Sequence, residues 1–154
     1  MLTIRIAAPT DVSAVIALAH SSKTTAHWSE DQYRTAVSEI ANGRRLVLVA
    51  EEGNAEEKKT VGFLVAAQVP PEWELENVVV AASERRQGLG KRLLEALLER
   101  ARETDSDAVF LEVRESNMAA RALYQTSGFQ QIGRRRGYYT SPSEDALLYR
   151  RNLP

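Results

Sequence analysis

Arg85-Arg86-Gln87-Gly88-Leu89-Gly90 stands between a strand-like run, Val78-Val79-Val80, and a helical pattern that opens near Lys91. A chain that leaves a strand, turns through glycines and enters a helix aims several backbone N–H groups at one point. The first N–H groups of a helix have no internal partner, and the helix dipole makes that end electropositive. Such a junction binds anions, phosphate above all. Gly88 and Gly90 let an anion approach the backbone with no side chain in the way. Arg85, Arg86, Lys91 and Arg92 add charge at the same end. A tight turn alone also needs glycine; strand, helix and basic flanks together favour phosphate binding. The loop lacks the Gly-x-x-x-x-Gly-Lys-Ser/Thr of nucleotide P-loops. It also lacks a Gly-x-Gly-x-x-Gly followed by an acidic residue about 20 positions on.

Other candidates are single residues. Glu112 sits amid Val109-Phe110-Leu111 and Val113 and shares one face of an alternating run with Phe110 and Arg114. There it either faces solvent or acts as a base. Glu76 precedes Val78 in the preceding strand-like run. Tyr124 lies in a short helical stretch before Gly128, where packing is the ordinary use of a tyrosine. Asn117 suits a helix N-cap. Trp28, Tyr138 and Tyr139 either pack or line a groove, and Arg134-Arg135-Arg136 reads first as a solvated strand end, with acceptor binding as the second reading. With two histidines, His20 and His27, and no cysteine, a metal site has no support, and disulfides and thiol nucleophiles are excluded. No Gly-x-Ser-x-Gly elbow of a serine hydrolase is present.

The elements that must hold these residues follow from periodicity. Leu2 to Ala7 alternates as a first strand. Thr10 or Asp11 caps a helix to about His20, with Val12, Val15, Ile16 and Ala19 on one face. A polar stretch, Ser21 to His27, leads to Trp28, and Ser29 caps a second helix over about Glu30 to Ala41. Arg45 to Glu51 and Thr60 to Val69 read as strands around a mobile hairpin tip that includes Glu56-Glu57-Lys58-Lys59. Pro70-Pro71 precedes a fourth strand, about Trp73 to Ala81. After the glycine loop, Gly90, Leu93, Leu94, Leu97, Leu98 and Ala101 repeat at helical spacing. Ala108 to Val113 is a fifth strand. The strand–helix–strand unit makes the fourth and fifth strands parallel through a right-handed crossover. Ser116 or Asn117 caps a short helix to about Thr126, with Gly128 as its left-handed C-cap. Phe129 to Arg136 and Ala146 to Arg151 form an antiparallel pair. The expected architecture is a mixed α/β layer around one core.

Composition narrows the classes. The 154 residues suffice for one domain, residues 1–154, and not for two ordinary ones. Acidic and basic residues nearly cancel, 21 against 20, for a formal charge of −1. A nucleic-acid or membrane-surface binder would carry a basic excess. No stretch approaches the roughly 18 apolar residues of a membrane span. A soluble, cytoplasmic protein is expected.

Arg85-x-x-Gly88-x-Gly90 resembles the pyrophosphate-binding loop of the GNAT superfamily of acyl-CoA-dependent N-acyltransferases. The block Leu-Glu-Val-Arg-Glu-Ser-Asn-Met-Ala-Ala-Arg-Ala-Leu-Tyr-Gln-Thr-Ser-Gly-Phe, from Leu111 to Phe129, is similar to that of the RimI branch, the ribosomal-protein-alanine N-acetyltransferases. Trp28-Ser29-Glu30 and the tail Gly137-Tyr138-Tyr139 … Glu144-Asp145-Ala146 resemble the same branch. The resemblance covers nearly the whole chain. It implies a GNAT-like fold with a mixed central sheet and helices on both faces. It further implies acetyl transfer from acetyl-CoA, without a metal, directly to an amine, most specifically a protein N-terminal α-amine. The loop Arg85 to Lys91 would hold the pyrophosphate of coenzyme A, and Asn117 would touch the cofactor arm. Backbone groups of Val78 and Val80 would pair with the pantetheine, with the Val78 N–H as oxyanion donor. Glu112 matches the family's general base, with Glu76 as the alternative, and Tyr124 its general acid toward the sulfur. Small-molecule or lysine acetylation by the same fold, or acyl-CoA sensing without turnover, remain the other readings. An α-amine with a pKa of about 7.7–8.0 is roughly one tenth neutral at pH 7, whereas lysine near 10.4 is almost wholly protonated. A modest carboxylate base therefore suits the α-amine better.

Overall fold

The computed structural model describes residues 1–22 and 27–154; Lys23 to Ala26, inside the expected polar stretch, lie outside the described residues. The chain runs β1 (Leu2–Ile6), α1 (Val12–His20), α2 (Glu30–Ser38), β2 (Arg45–Gly53), β3 (Lys58–Val69) and β4 (Glu72–Val80). It continues through α3 (Leu89–Glu103), β5 (Ala108–Arg114), α4 (Met118–Thr126), β6 (Gln130–Tyr139) and β7 (Glu144–Asn152). Seven strands form one sheet in the order β1-β2-β3-β4-β5-β7-β6. Among the described strands only β4 and β5 are parallel, joined by α3 as the crossover unit requires. No described helix is long and apolar enough to cross a membrane.

The sheet is covered on both faces. On one side α3 buries Leu93, Leu94, Leu97, Leu98 and Ala101 against Leu64, Trp73, Leu75, Val109 and Leu111. Truncating one of these leucines to alanine costs about 2–5 kcal/mol, because the close-packed surroundings fill the hole only partly. On the other side α1 and α2 set Val12, Val15, Ala19, Tyr33 and Ala36 against Val47, Val49, Phe63 and Val65. The last two strands pair antiparallel, as expected, but β7 lies inside, between β5 and β6. Its Ala146, Leu147 and Tyr149 are buried, whereas β6 is exposed along almost all its length. The polar, arginine-rich β6 sequence suits an edge, where charge discourages further pairing.

One irregularity shapes the site. β3 and β4 pair as Val65↔Asn77 and then Ala66↔Leu75, so Glu76 is an extra residue in β4. A bulge of this kind bends its strand and sharpens the local twist. It also switches faces: Trp73 and Leu75 pack on the α3 side, while Val79 joins the α1–α2 side. Below the bulge β4 pairs with β5 through Glu72↔Ala108, Trp73↔Val109 and Glu74↔Phe110; beyond Glu74 the pairing stops. The two parallel strands thus fork.

Several expectations are corrected. Asp11 stands at the N-cap position of α1, but its side chain makes no capping bond there. Its carboxylate takes both Nη atoms of Arg5, each at 2.8 Å, and the Ala8 N–H at 2.7 Å, within a 3₁₀ turn over Pro9–Asp11. Ser29 does cap α2, in a capping box with Gln32, but the helix ends at Ser38 rather than near Ala41. Lys58 and Lys59 belong to β3, paired with Gly53 and Glu52, rather than to a hairpin tip.

Candidate active site

The N terminus of α3 is open for an anion. Gly88 is its N-cap at φ 80°, a left-handed conformation that glycine adopts without strain. Among the described residues no side chain caps this helix, and its first internal bond is Arg92 N–H to Gly88 C=O at 3.0 Å. The N–H groups of Leu89, Gly90 and Lys91 therefore precede the helical ladder. A Cβ on Gly88 would meet nothing within 4 Å. Gly90 matters for packing instead. A Cβ there would stand 3.0 Å from Leu123 Cδ2, so the glycine lets α3 and α4 approach. Arg85, Arg86, Gln87 and Lys91 are exposed around this end, and Leu89 is buried beneath it. Arg86 is itself left-handed, at φ 65°. Among the described residues, none of Arg85, Arg86, Lys91 and Arg92 takes part in an ion pair, which leaves their charge to the loop.

The fork leads away from this loop. Ala81 donates its N–H to Val61 C=O at 2.8 Å, across β3. Strand alternation then turns the Val79 amide toward β3 and those of Val78 and Val80 toward the gap before β5. Their side chains pack on the α3 side. The two residues thus offer free backbone groups to an extended ligand lying where a strand would lie.

Carboxylates collect on the opposite face of the fork. Val109, Leu111 and Val113 of β5 pack on the α3 side, which turns Phe110, Glu112 and Arg114 the other way. Glu112 Oε1 lies 3.4 Å from Arg135 Nε, and its side chain is 18% exposed. Glu76 is held more firmly: Arg45 approaches with Nε at 2.8 Å from Oε1 and Nη2 at 3.2 Å from Oε2, and also reaches Glu39 at 3.1 Å. Burial pushes the Glu76 pKa upward, Arg45 offsets part of that rise, and Glu39 adds to it. Glu74, unnoticed in the sequence, occupies the last rung of the β4–β5 ladder opposite Phe110. Burial pushes its pKa up, and the charges of Glu76 and Glu112 push it further. Among the described residues it makes no ion pair. The signal was present: Glu72, Glu74 and Glu76 alternate with Trp73 and Leu75, an acidic face on an internal strand.

Tyr124 sits on the α3 side, its ring 6.0 Å from Phe129 and 6.1 Å from Tyr149. Burial raises its pKa well above the ordinary tyrosine value, with Tyr139 adding to the rise, so the phenol keeps its proton at neutral pH. Asn117 caps α4, its Oδ1 accepting the Ala120 N–H at 3.2 Å. Tyr139 is clamped by the Arg114 guanidinium, 4.2 Å from its ring centroid, and Arg114 is held by Glu144 at 3.2 Å. Burial and the Glu112 charge both raise the Tyr139 pKa. Tyr138, half exposed, lies edge-on to Tyr139 at 5.1 Å. Trp28 stacks near Tyr33 at 5.2 Å and under Arg45 at 5.6 Å. Arg45 therefore links Trp28 to Glu76. The sequence-predicted residues thus lie at the N terminus of α3, along β4 at the fork, on the acidic face of the fork opposite α3 (the cleft), and, for Asn117 and Tyr124, on α4.

A mixed α/β sheet that forks between two parallel strands, with an uncapped helix N terminus at the fork, sets unpaired backbone N–H groups where an anion can bind. Residues 14–129 match the acetyltransferase (GNAT) family, and the chain belongs to that family. It is similar to the N-alpha-acetyltransferase RimI of Mycobacterium tuberculosis, 43% identical over 92 residues that make up 59% of this chain and 56% of that protein. It is also similar to the ribosomal protein bS18-alanine N-acetyltransferase of Escherichia coli, 40% identical over 92 residues, 58% of this chain and 62% of that protein. The chain thus spans less than two thirds of the length of these relatives. The crystal structure of the ribosomal-protein-S18-alanine N-acetyltransferase from Escherichia coli matches with a TM-score of 0.85 and 32% identity, over 99% of this chain and 94% of that one.

Proposed function

We propose that this protein moves an acetyl group from acetyl-CoA to the α-amine of a protein N terminus, in the cytoplasm, with a ribosomal protein as the acceptor its relatives indicate. The observation that carries the reading is the placement of a carboxylate and a buried phenol on the two sides of one fork: Glu112 on the cleft face of β5 and Tyr124 on the α3 side. Acetyl-CoA supplies the activated thioester. The N–H groups of Leu89, Gly90 and Lys91, with Arg85, Arg86 and Gln87 around them, hold its pyrophosphate, and Asn117 borders its arm. Val78 and Val80 align the pantetheine, and the Val78 N–H donates to the oxyanion as it forms. Glu112 takes a proton from the acceptor ammonium so that the nitrogen lone pair attacks the thioester carbon. As the tetrahedral intermediate collapses, the C–S bond breaks, the Tyr124 hydroxyl protonates the departing sulfur, the nitrogen gives its second proton to solvent, and the tyrosinate regains a proton from solvent. Trp28, Tyr138 and Tyr139 rim the acceptor's path. Glu76, tied to Arg45, is the less available base.

Thiol release from acetyl-CoA, measured against N-terminal peptides, lysine peptides and small amines, tests the reading. Glu112→Gln keeps the size of the side chain but accepts no proton. Its rate defect is expected to be largest at low pH, where the amine is charged, and to shrink above the amine pKa of about 7.7–8.0. A defect equal at every pH assigns Glu112 to positioning, and the same profile in Glu76→Gln moves the base to β4. Acetylation of lysine peptides with blocked N termini as fast as open ones overturns the N-terminal assignment.

A further inference from the structure

The arginine run at 134–136 is not used by the mechanism above, and strand alternation splits it. Arg134 pairs with Glu115 and, at 2.8 Å, with Asp145, whose Oδ1 also accepts the Gly137 N–H. This is a structural clamp that ties the middle of β6 to the start of β7 and the residue after β5. Arg135 points to the cleft, where its Nε faces Glu112 Oε1 at 3.4 Å. Its guanidinium carbon stands 5.5 Å from the centroid of the Tyr138 ring. The β6–β7 ladder breaks just after it, from Arg135↔Ala146 to Tyr139↔Glu144.

The contact has the marks of an exchangeable one. A single Nε approaches at a distance beyond a good N–H···O bond, not a two-pronged fork at about 2.8 Å. The Arg135 side chain is 55% exposed while Glu112 is 18% exposed. The cation can therefore leave toward solvent and the Tyr138 face, while the carboxylate stays. Glu112 is also the carboxylate that the incoming ammonium must reach. The other guanidinium groups of this face are held: Arg45 between Glu39 and Glu76, and Arg114 by Glu144 over the Tyr139 ring. When Arg135 leaves, Glu112 loses its ion-pair partner, and Glu74, which makes no ion pair among the described residues, keeps only the more distant influence of Arg45. Only a positively charged newcomer restores the balance.

We propose that Arg135 is a specificity-determining residue that occupies the acceptor's place at Glu112 and yields it to a primary ammonium. The inference rests on Glu112 being the base. An exposed ion pair is weak, so its removal should change acceptor affinity by about two- to fivefold.

The test is steady-state kinetics at pH 7 with an alanine-starting peptide, on wild type, Arg135→Gln, Arg135→Lys and Glu112→Gln, alongside acetyl-CoA affinity. Arg135→Gln should lower the acceptor KM two- to fivefold, Arg135→Lys should keep the wild-type KM, and acetyl-CoA affinity should not move in either. An unchanged or raised KM in Arg135→Gln, with Glu112→Gln impaired, overturns this inference alone. Normal turnover by Glu112→Gln, or a wild type inactive on every amine, overturns the base reading and this inference with it. Should the glutamine variant lose acetyl-CoA binding, Arg135→Met provides the same comparison, with the same KM outcomes deciding.

Discussion

Glu112 on β5 and Tyr124 on α4 stand on opposite faces of the sheet, and in the proposed mechanism that division separates the two proton transfers. In that mechanism the amine proton leaves toward the acidic cleft, and the sulfur receives its proton from the apolar α3 side. The same burial that raises the Tyr124 pKa keeps the phenol protonated, which is the form an acid needs. Tyr124→Phe retains the ring that packs on Phe129 and Tyr149 and removes only the donor. It should lower kcat by about 10²–10⁴-fold, the usual worth of a positioned proton donor, with acetyl-CoA affinity unchanged. Normal turnover in this variant would leave Tyr124 as packing. At this scale the sequence was informative where a motif named the residue and silent where chain pairing decided. Glu112 could be placed by alternation and by its block. Glu74 could not, because its role depends on being the last rung before the fork, and nothing in β4 alone says where β5 stops pairing with it.

Among the elements, α3 was the most legible, because six apolar or small positions at helical spacing leave one packing face. Its start was harder to read. The two glycines of the loop looked alike in the sequence, yet Gly88 provides a left-handed turn beside open space and Gly90 admits Leu123. The bulge at Glu76 left no trace in the pattern, since β4 alternates in burial from end to end and both faces of the sheet are covered. The distinction at Gly88 can be tested by graded substitution. Gly88→Ala meets no neighbour and suffers only the left-handed penalty, about 1–2 kcal/mol of stability, so acetyl-CoA binding should persist. Gly88→Glu adds bulk and negative charge where phosphate is expected, and binding should be lost in a protein that still folds. If the folded glutamate variant binds acetyl-CoA as wild type does, the loop is not the anion site.

Across the whole molecule, charge is arranged in two opposite ways. At the periphery, carboxylates are satisfied: Arg5 holds Asp11 and Glu51 across β1, the 3₁₀ turn and β2, and its hydrogen bonds keep the pKa of Asp11 below the ordinary value. In the cleft, Glu74 is half-buried near two like charges, and its pKa is pushed up. These shifts have opposite consequences for stability. A carboxylate whose pKa is lowered by folding stabilises the protein above its unfolded pKa, about 3.9 for aspartate, and loses that contribution as the pH falls through the folded value. A carboxylate whose pKa is raised stabilises fully only below its unfolded pKa, about 4.3 for glutamate, and that contribution disappears as the pH rises through the folded value. At pH 7, therefore, Asp11→Asn should melt below wild type and Glu74→Gln above it. Both differences should narrow as the pH is taken toward 3, with the glutamine gap closing first because the Glu74 value lies higher. Thermal melts of the three proteins in half-unit steps of pH decide the matter. A Glu74→Gln variant that melts lower than wild type at pH 7 would show that the carboxylate has a partner that stabilises its charge, and the cleft would then lose its claim to an unmatched negative charge awaiting a cationic acceptor.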